Sequence, residues 1–180
     1  MPDEFEQRAT ERVAELGDGV ESGSSGKIDL ESFAASFDLF RLATRTIGDF
    51  DTEVHRPLGL SMAGFRVLFT VWVFGSLEVR DIARLSGVSR AAVSGVVTTL
   101  EREQLALRQR DQADGRLASV RVTDAGVEKL RLAYGGQHRR ERQLFGVLDE
   151  AELHAFTATL RKLLRVRLDD DAGQSDAKGR

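Results

Sequence analysis

The sequence predicts a mainly α-helical fold carrying one small β-hairpin, and three observations support this. Apolar residues recur at helical spacing over most of the chain between residues 30 and 164. Two short helical stretches are joined by the tight turn Leu85-Ser-Gly-Val-Ser89. Directly after them, two arginine-rich, partly alternating segments flank Asp111-Gln-Ala-Asp-Gly115, a turn composition. The predicted order is helix, helix, helix, helix, hairpin, helix, helix: a winged helix-turn-helix with N- and C-terminal dimerisation helices.

Residues 1–29 read as a flexible extension ending in Gly23-Ser-Ser-Gly26. Within it, Phe5, Ala9, Val13 and Leu16 could line one side of a short amphipathic helix over 4–16. A helix over about 30–53 carries Phe33, Phe37, Phe40 and Ile47 on one side, and Pro57 and Gly59 break it. Ser61 is placed to cap the next helix, with Phe65, Leu68, Phe69 and Trp72 as apolar positions and Gly75 as its end. A short helix around 79–86 turns Ile82 and Leu85 inward and stops at Gly87. Ser89 starts another, with Val93, Val96, Val97 and Leu100 facing the core. The hairpin strands are Leu107–Arg110 and Leu117–Val122. Thr123 caps a helix to about Leu148, where adjacent Gly135 and Gly136, each costing about 1 kcal/mol in a helix, predict a kink or break. Asp149-x-x-Glu152 is a capping-box start for a last helix with Leu153, Phe156, Leu160 and Leu164. The resulting division is an extension over 1–29, a DNA-binding lobe over 57–122, dimerisation helices over 30–56 and 123–168, and a disordered tail over 169–180.

Composition narrows the function classes. Hydrophobic residues are 41% and charged residues 31% of the chain, as in ordinary globular domains. No apolar run reaches the roughly 20 residues of a membrane span, and the acidic start lacks the apolar stretch of a secretory signal, so the expected location is the cytoplasm with no membrane partner. The chain has no cysteine, which excludes disulfides, thiolate metal sites, cysteine nucleophiles and thiol-oxidation switches. The net charge is −3, yet it is unevenly spread. Residues 1–31 hold nine acids against three bases, and residues 80–121 hold eight arginines against five acids. A basic middle beside an acidic start fits local contact with a polyanion.

The residues that carry function lie between Glu78 and Val122. Gly87 permits the turn between the two short helices, and Ser89 accepts from the orphan amides of the second. The side of that second helix facing away from the core presents Ser89, Arg90, Ala91, Ala92, Ser94, Gly95, Thr98 and Thr99. Small side chains let a helix enter a major groove, hydroxyls bond phosphates or base edges, and alanine methyls touch thymine methyls. Arg108 and Arg110 lie on the first hairpin strand and Arg116 near its tip, where an arginine can enter a minor groove. Asp111 or Asp114 is placed to hold such an arginine by charge pairing. These residues predict binding of double-stranded DNA. Two alternatives stand beside this: a winged-helix module for protein contact without DNA, and an enzyme. No phosphate-binding glycine loop, zinc-protease motif or serine-nucleophile elbow occurs, so no enzyme and no cofactor is expected.

Five segments together resemble the MarR family of regulators: Leu60-Ser-Met-Ala-Gly-Phe-Arg-Val-Leu68, Asp81-Ile-Ala-Arg-Leu-Ser-Gly-Val-Ser-Arg90, Val93 to Leu100-Glu101, Arg110-Asp111 with Asp114-Gly-Arg116, and Val122-Thr-Asp-Ala-Gly126. The resemblance spans about residues 30–168. It implies a homodimer built from the first and last helices, two winged lobes on a pseudo-palindromic operator, and a repressor released by small aromatic or phenolic ligands. It also implies that Ser89–Thr99 is the recognition helix and Arg116 the wing-tip arginine. Gln104, Gly115 and the Gly135-Gly136 pair depart from the family pattern, which has glycine, frequently arginine, and a helix without paired glycines at those places.

Dimerisation has independent support, because the two terminal helices carry more large apolar residues than one small lobe can bury. A helix over 123–148 would be about 39 Å long, enough to separate half-sites about 34 Å apart. Phe37, Phe40, Phe65, Phe69 and Trp72, with Arg41 and Arg66, are the candidate lining of a pocket for a small aromatic or anionic effector, and Arg45 and His55 lie close to them in sequence. His138, Glu141 and His154 could in principle hold a metal, but exposed histidines on polar helix faces are the simpler reading, and no metal is expected.

Overall fold

A computed structural model describes residues 4–19, 28–110 and 118–166. The hairpin turn with Asp111, Asp114 and Arg116, the Gly23–Gly26 stretch and the 169–180 tail lie outside the described residues. The chain divides into two compact units, Met1–Gln137 and His138–Arg180. Seven α-helices run in the order α1 (Glu4–Gly19), α2 (Leu30–Phe50), α3 (Met62–Phe74), α4 (Val79–Ser86), α5 (Arg90–Arg102), α6 (Asp124–Phe145) and α7 (Glu150–Leu163) among the described residues. Strands β1 (Leu77–Glu78), β2 (Ala106–Arg110) and β3 (Ala118–Val122) form one antiparallel sheet in the order β1-β3-β2. The fold is a winged helix-turn-helix, mainly helical with a small sheet. No single helix among the described residues is long and apolar enough to cross a membrane.

Local chemistry explains most helix starts. The Ser61 hydroxyl accepts from Gly64 N at 3.0 Å, the Ser89 hydroxyl from Ala92 N at 3.3 Å, and the Thr123 hydroxyl from Gly126 N at 3.0 Å. Asp149 and Glu152 close a reciprocal capping box at α7. Each satisfies a helix N–H that has no partner within its own helix. Gly75 and Gly87, at φ +84° and +66°, end α3 and α4 in backbone regions that side-chain-bearing residues avoid.

Several expectations are corrected. The expected end of the second helix, about residue 53, falls within a π-helical turn: α2 stops at Phe50 and continues as Asp51–His55 and then a short 3-10 turn, Arg56–Leu58. The Asp51 carboxylate stabilises this junction by accepting from Met62 N and Arg56 Nε, both at 2.7 Å. Strand β1 was not anticipated; its two residues pair with Val120 and Ser119 of β3. Leu85 was expected inward but is 37% exposed, whereas Ile82 is fully buried. Gly135-Gly136, expected to kink or break the helix, do not interrupt it: α6 is one continuous helix of 22 residues, about 33 Å long. A Cβ on Gly136 would lie 2.7 Å from Val54 Cγ1. That glycine lets the α6 backbone come directly onto Val54, and the packing offsets the loss of helix propensity.

The core lies in the first unit. Val67, Leu68 and Val71 of α3, Ile82 of α4, Val93, Val97 and Leu100 of α5, and Val120 of β3 are almost wholly removed from water, and Leu130 and Ala133 of α6 close over them. At about 25 cal/mol per Å² of apolar surface, burying each large side chain among them stabilises the lobe by about 1.5–3 kcal/mol before entropy is counted. The α6 start is seated tightly against it: a Cβ on Gly126 would overlap the Leu105 carbonyl. Lys129 Nζ donates to Leu58 O at 2.9 Å and ties α6 to the 3-10 turn. The helices α2 and α7 have no buried residue.

Candidate nucleic-acid interface

Helices α4 and α5 form the helix-turn-helix. Ser86 Oγ accepts from Val88 N at 3.3 Å inside the turn, and Val88 packs against the core. Val93, Val97 and Leu100 anchor α5 from beneath, with Val96 half-buried beside them. Every position on the other side is open: Ser89, Arg90, Ala91, Ala92, Ser94, Gly95 and Thr98 are exposed and Thr99 half-exposed. A Cβ on Gly95 would meet nothing within 4 Å. Ser94 Oγ and Thr98 Oγ1 donate to the carbonyls four residues back, Arg90 O at 3.3 Å and Ser94 O at 3.0 Å. Their oxygens therefore face outward as acceptors, and their donors are available to a ligand only by rotation.

The hairpin pairs Arg108 with Val120 and Leu107 with Arg121. Arg108 is already engaged. Its Nη1 lies 2.8 Å from Glu101 Oε2, and its backbone N–H donates to Glu101 Oε1 at 3.1 Å. This two-point grip fastens the wing to the end of α5 and neutralises the guanidinium. Arg110 ends β2, with its backbone paired to Ala118; Arg116 lies outside the described residues. The joint between α5 and the wing is Gln104 at φ +60°, the one non-glycine residue with positive φ among the described residues. Left-handed backbone costs an L-residue about 1–2 kcal/mol, and Thr123 Oγ1 donates to Gln104 O at 2.7 Å to hold it.

The candidate effector residues do not form one group. Phe65, Phe69 and Trp72 make an aromatic ladder on α3, with centroids 5.9 Å apart at each step. His55 stacks on Phe65 at 4.3 Å, and Tyr134 of α6 stacks on Phe69 at 6.2 Å. Phe37 and Arg41 lie elsewhere: Phe5 of α1 sits 5.5 Å from Phe37, and the Arg41 guanidinium lies over both rings. Phe40 is 75% exposed, and Arg66 reaches the Gly87 turn. Tyr134 and the stacking of His55 were missed, because neither leaves a local signal: the first depends on α6 returning across α3, and the second on the π-helical turn folding back onto α3.

His55 is fully buried, and neither ring nitrogen meets a hydrogen-bond partner in bonding geometry. Burial holds its pKa below the ordinary 6.5, while the nearby Gln137 side chain and the Asp51 charge oppose that in part. The ring is thus neutral at pH 7. Asp51 is held below the usual carboxylate range, first by its bond with Arg56. In the second unit, His138 Nδ1 lies 3.4 Å from Glu141 Oε2.

The MarR family model matches residues 60–117, from the start of α3 past β2 and up to the beginning of β3. The HTH-type transcriptional regulator YwaE of Bacillus subtilis is 35% identical over 136 residues, 76% of this chain and 80% of that protein. Among solved structures, BpsR of Bordetella bronchiseptica, whose DNA binding is regulated by 6-hydroxynicotinic acid, is 25% identical with a TM-score of 0.66, over 72% of this chain and 98% of that one. A MarR-family regulator from Silicibacter pomeroyi is similar at 24% identity and a TM-score of 0.67, over 82% of this chain and 99% of that one.

Proposed function

The chain belongs to the MarR family of transcriptional regulators, and we propose that it binds a pseudo-palindromic operator as a homodimer and is a repressor released by a small aromatic acid. The observation that carries this reading is the outer side of α5, open from Ser89 to Thr98 and flanked by a wing locked to it through Glu101 and Arg108. Ser89, Arg90, Ala91, Ala92, Ser94, Gly95, Thr98 and Thr99 face the major groove, and Arg110 and Arg116 serve the wing's minor-groove contact. The Arg108 charge is spent on Glu101, so its part is to hold the wing in place.

Two reading helices need half-sites about 34 Å apart, and the 22-residue α6, about 33 Å long, comes close to that span. The dimer is supported by what each terminal segment leaves uncovered: Phe40 and Ile47 on α2, at 75% and 48% exposure, and Leu163 and Leu164 at the end of α7, at 54% and 84%. A second copy is the simplest cover for such surfaces. The effector reading narrows to the ladder of Phe65, Phe69 and Trp72 with Tyr134, and is supported by the aromatic acid that regulates BpsR. The chain acts as a cytoplasmic regulator, not as an enzyme.

Selection of bound duplexes from a random pool tests this. The expected result is a two-fold-symmetric motif; equal binding to all duplexes, or none to any, overturns the operator reading. Trp72 is the only tryptophan, so titration with hydroxylated and nitrogen-heterocyclic aromatic acids should change its fluorescence and lower affinity for the selected duplex. An unchanged signal and affinity across such a panel removes the effector.

A further inference from the structure

The arginines of the winged lobe fall into two groups. Arg80 lies 3.9 Å from Glu78, Arg84 3.2 Å from Asp81, Arg102 3.7 Å from Glu103, and Arg108 2.8 Å from Glu101. Each guanidinium has an acid of this chain beside it, so it adds little net charge to the surface. Among the described residues of the lobe, Arg66, Arg90 and Arg121 are exposed and meet no carboxylate. Arg90 belongs to the recognition helix and Arg121 to the wing. Arg66 belongs to neither, since it comes from α3, the helix behind.

Its side chain nevertheless reaches the turn that starts the recognition helix. A Cβ on Gly87 would lie 2.7 Å from Arg66 Nη2 and 3.8 Å from its Cζ. The guanidinium therefore occupies the space that a side chain at the turn would fill, beside the entry to α5. It makes no hydrogen bond to the turn among the described residues. A structural role would leave the guanidinium fixed by a carbonyl or an acid; this one lies against the turn, exposed and unneutralised.

We propose that Arg66 is a phosphate contact that sets where α5 enters the duplex. The inference rests on the DNA-binding reading above and adds to it a residue outside both the recognition helix and the wing. In a helix-turn-helix, contacts to the sugar-phosphate backbone fix register without reading bases. An unpaired arginine at the turn, with five donors in a planar fork, suits that task. The same position removes Arg66 from the effector pocket in which the sequence had placed it.

The test measures binding to a wild-type-selected duplex and to an unrelated duplex across a salt series, for the full chain and for Arg66→Ala, Arg66→Lys and Arg8→Ala. Arg8 is an exposed arginine on α1, outside the lobe and the terminal helices assigned to dimerisation, and controls for the loss of one charge. Arg66→Ala should weaken both duplexes about tenfold and lower the slope of log affinity against log salt by about one, while Arg66→Lys keeps the slope. Arg8→Ala should leave affinity and slope near wild type. Wild-type affinity and slope for Arg66→Ala would overturn the proposal, and so would weakened binding with an unchanged slope, which marks packing at the turn. If the wild-type chain binds neither duplex at any salt, the DNA-binding reading fails instead.

Discussion

The winged lobe and the terminal helices solve the same problem in opposite ways. In the lobe, α3, α4, α5 and β3 bury each other, and Val67, Leu68, Ile82, Val93 and Val97 have no measurable exposure. In α2 and α7 no residue is buried, although both are strongly amphipathic in sequence. The lobe is finished as a single chain, and the terminal helices are not. Apolar periodicity thus reports that a helix face will be covered, but not by what.

One large effect that bears on this contrast lies at the seam between lobe and α6. Gly126→Ala places a methyl into the Leu105 carbonyl and against Val122. Backbone cannot yield as a side chain can, so about 3 kcal/mol of stability should be lost, read as a lower urea midpoint with an unchanged slope. An unaltered midpoint would mean that α6 docks less tightly than described.

Equal truncations in the two regions should then behave differently. Leu100→Ala, in the lobe core, should cost about 2–5 kcal/mol at every protein concentration. Leu164→Ala, at 84% exposure, should leave the monomer's stability unchanged and weaken self-association, visible as a stronger concentration dependence of both Tm and sedimentation. Identical concentration dependence for both variants would erase the distinction.

Paired glycines sharpen it within one helix. Gly135→Ala meets nothing within 4 Å and should stabilise by about 1 kcal/mol. Gly136→Ala presses on Val54 and should destabilise by about 1–2 kcal/mol despite the same gain in propensity. Thermal melts of the two variants that shift in the same direction would remove Val54 as the reason for the glycine.

The smallest effect is set by pH. His55 has its pKa lowered by burial, so the unfolded chain takes up a proton before the folded one does. Its contribution is intact above about pH 6.5 and is lost as pH falls toward the lower folded value, at no more than about 1.4 kcal/mol per pH unit. His55→Gln should flatten that dependence between pH 7.5 and 5.5 in urea titrations; a profile parallel to wild type would assign it to other groups.

What was legible in the sequence was local. Ser61, Ser89, Thr123 and the Asp149–Glu152 pair act on amides three residues away, so the caps could be read directly. The turn at Gly87 and the open side of α5 follow from the same short range. What was illegible depends on distant partners. Strand β1 exists only because β3 lies beside it, and α6 stays whole because Val54 fills the place of a methyl. The pocket residues scattered because Phe5 covers Phe37 and the Gly87 turn takes Arg66. Gln104 lies between these cases: its departure from the family glycine was visible, and its positive φ shows what the departure costs.

The Val54 side chain packed on the bare Gly136 backbone has one more consequence. Most side chains between two elements act as springs, because rotamers can absorb a small displacement, but a β-branched valine in a helical turn has one strongly preferred χ1. The contact is therefore a stiff spring: it couples the π-helical turn, with His55 next in the chain, to the α6 backbone at Gly136 more directly than a long, unbranched side chain would.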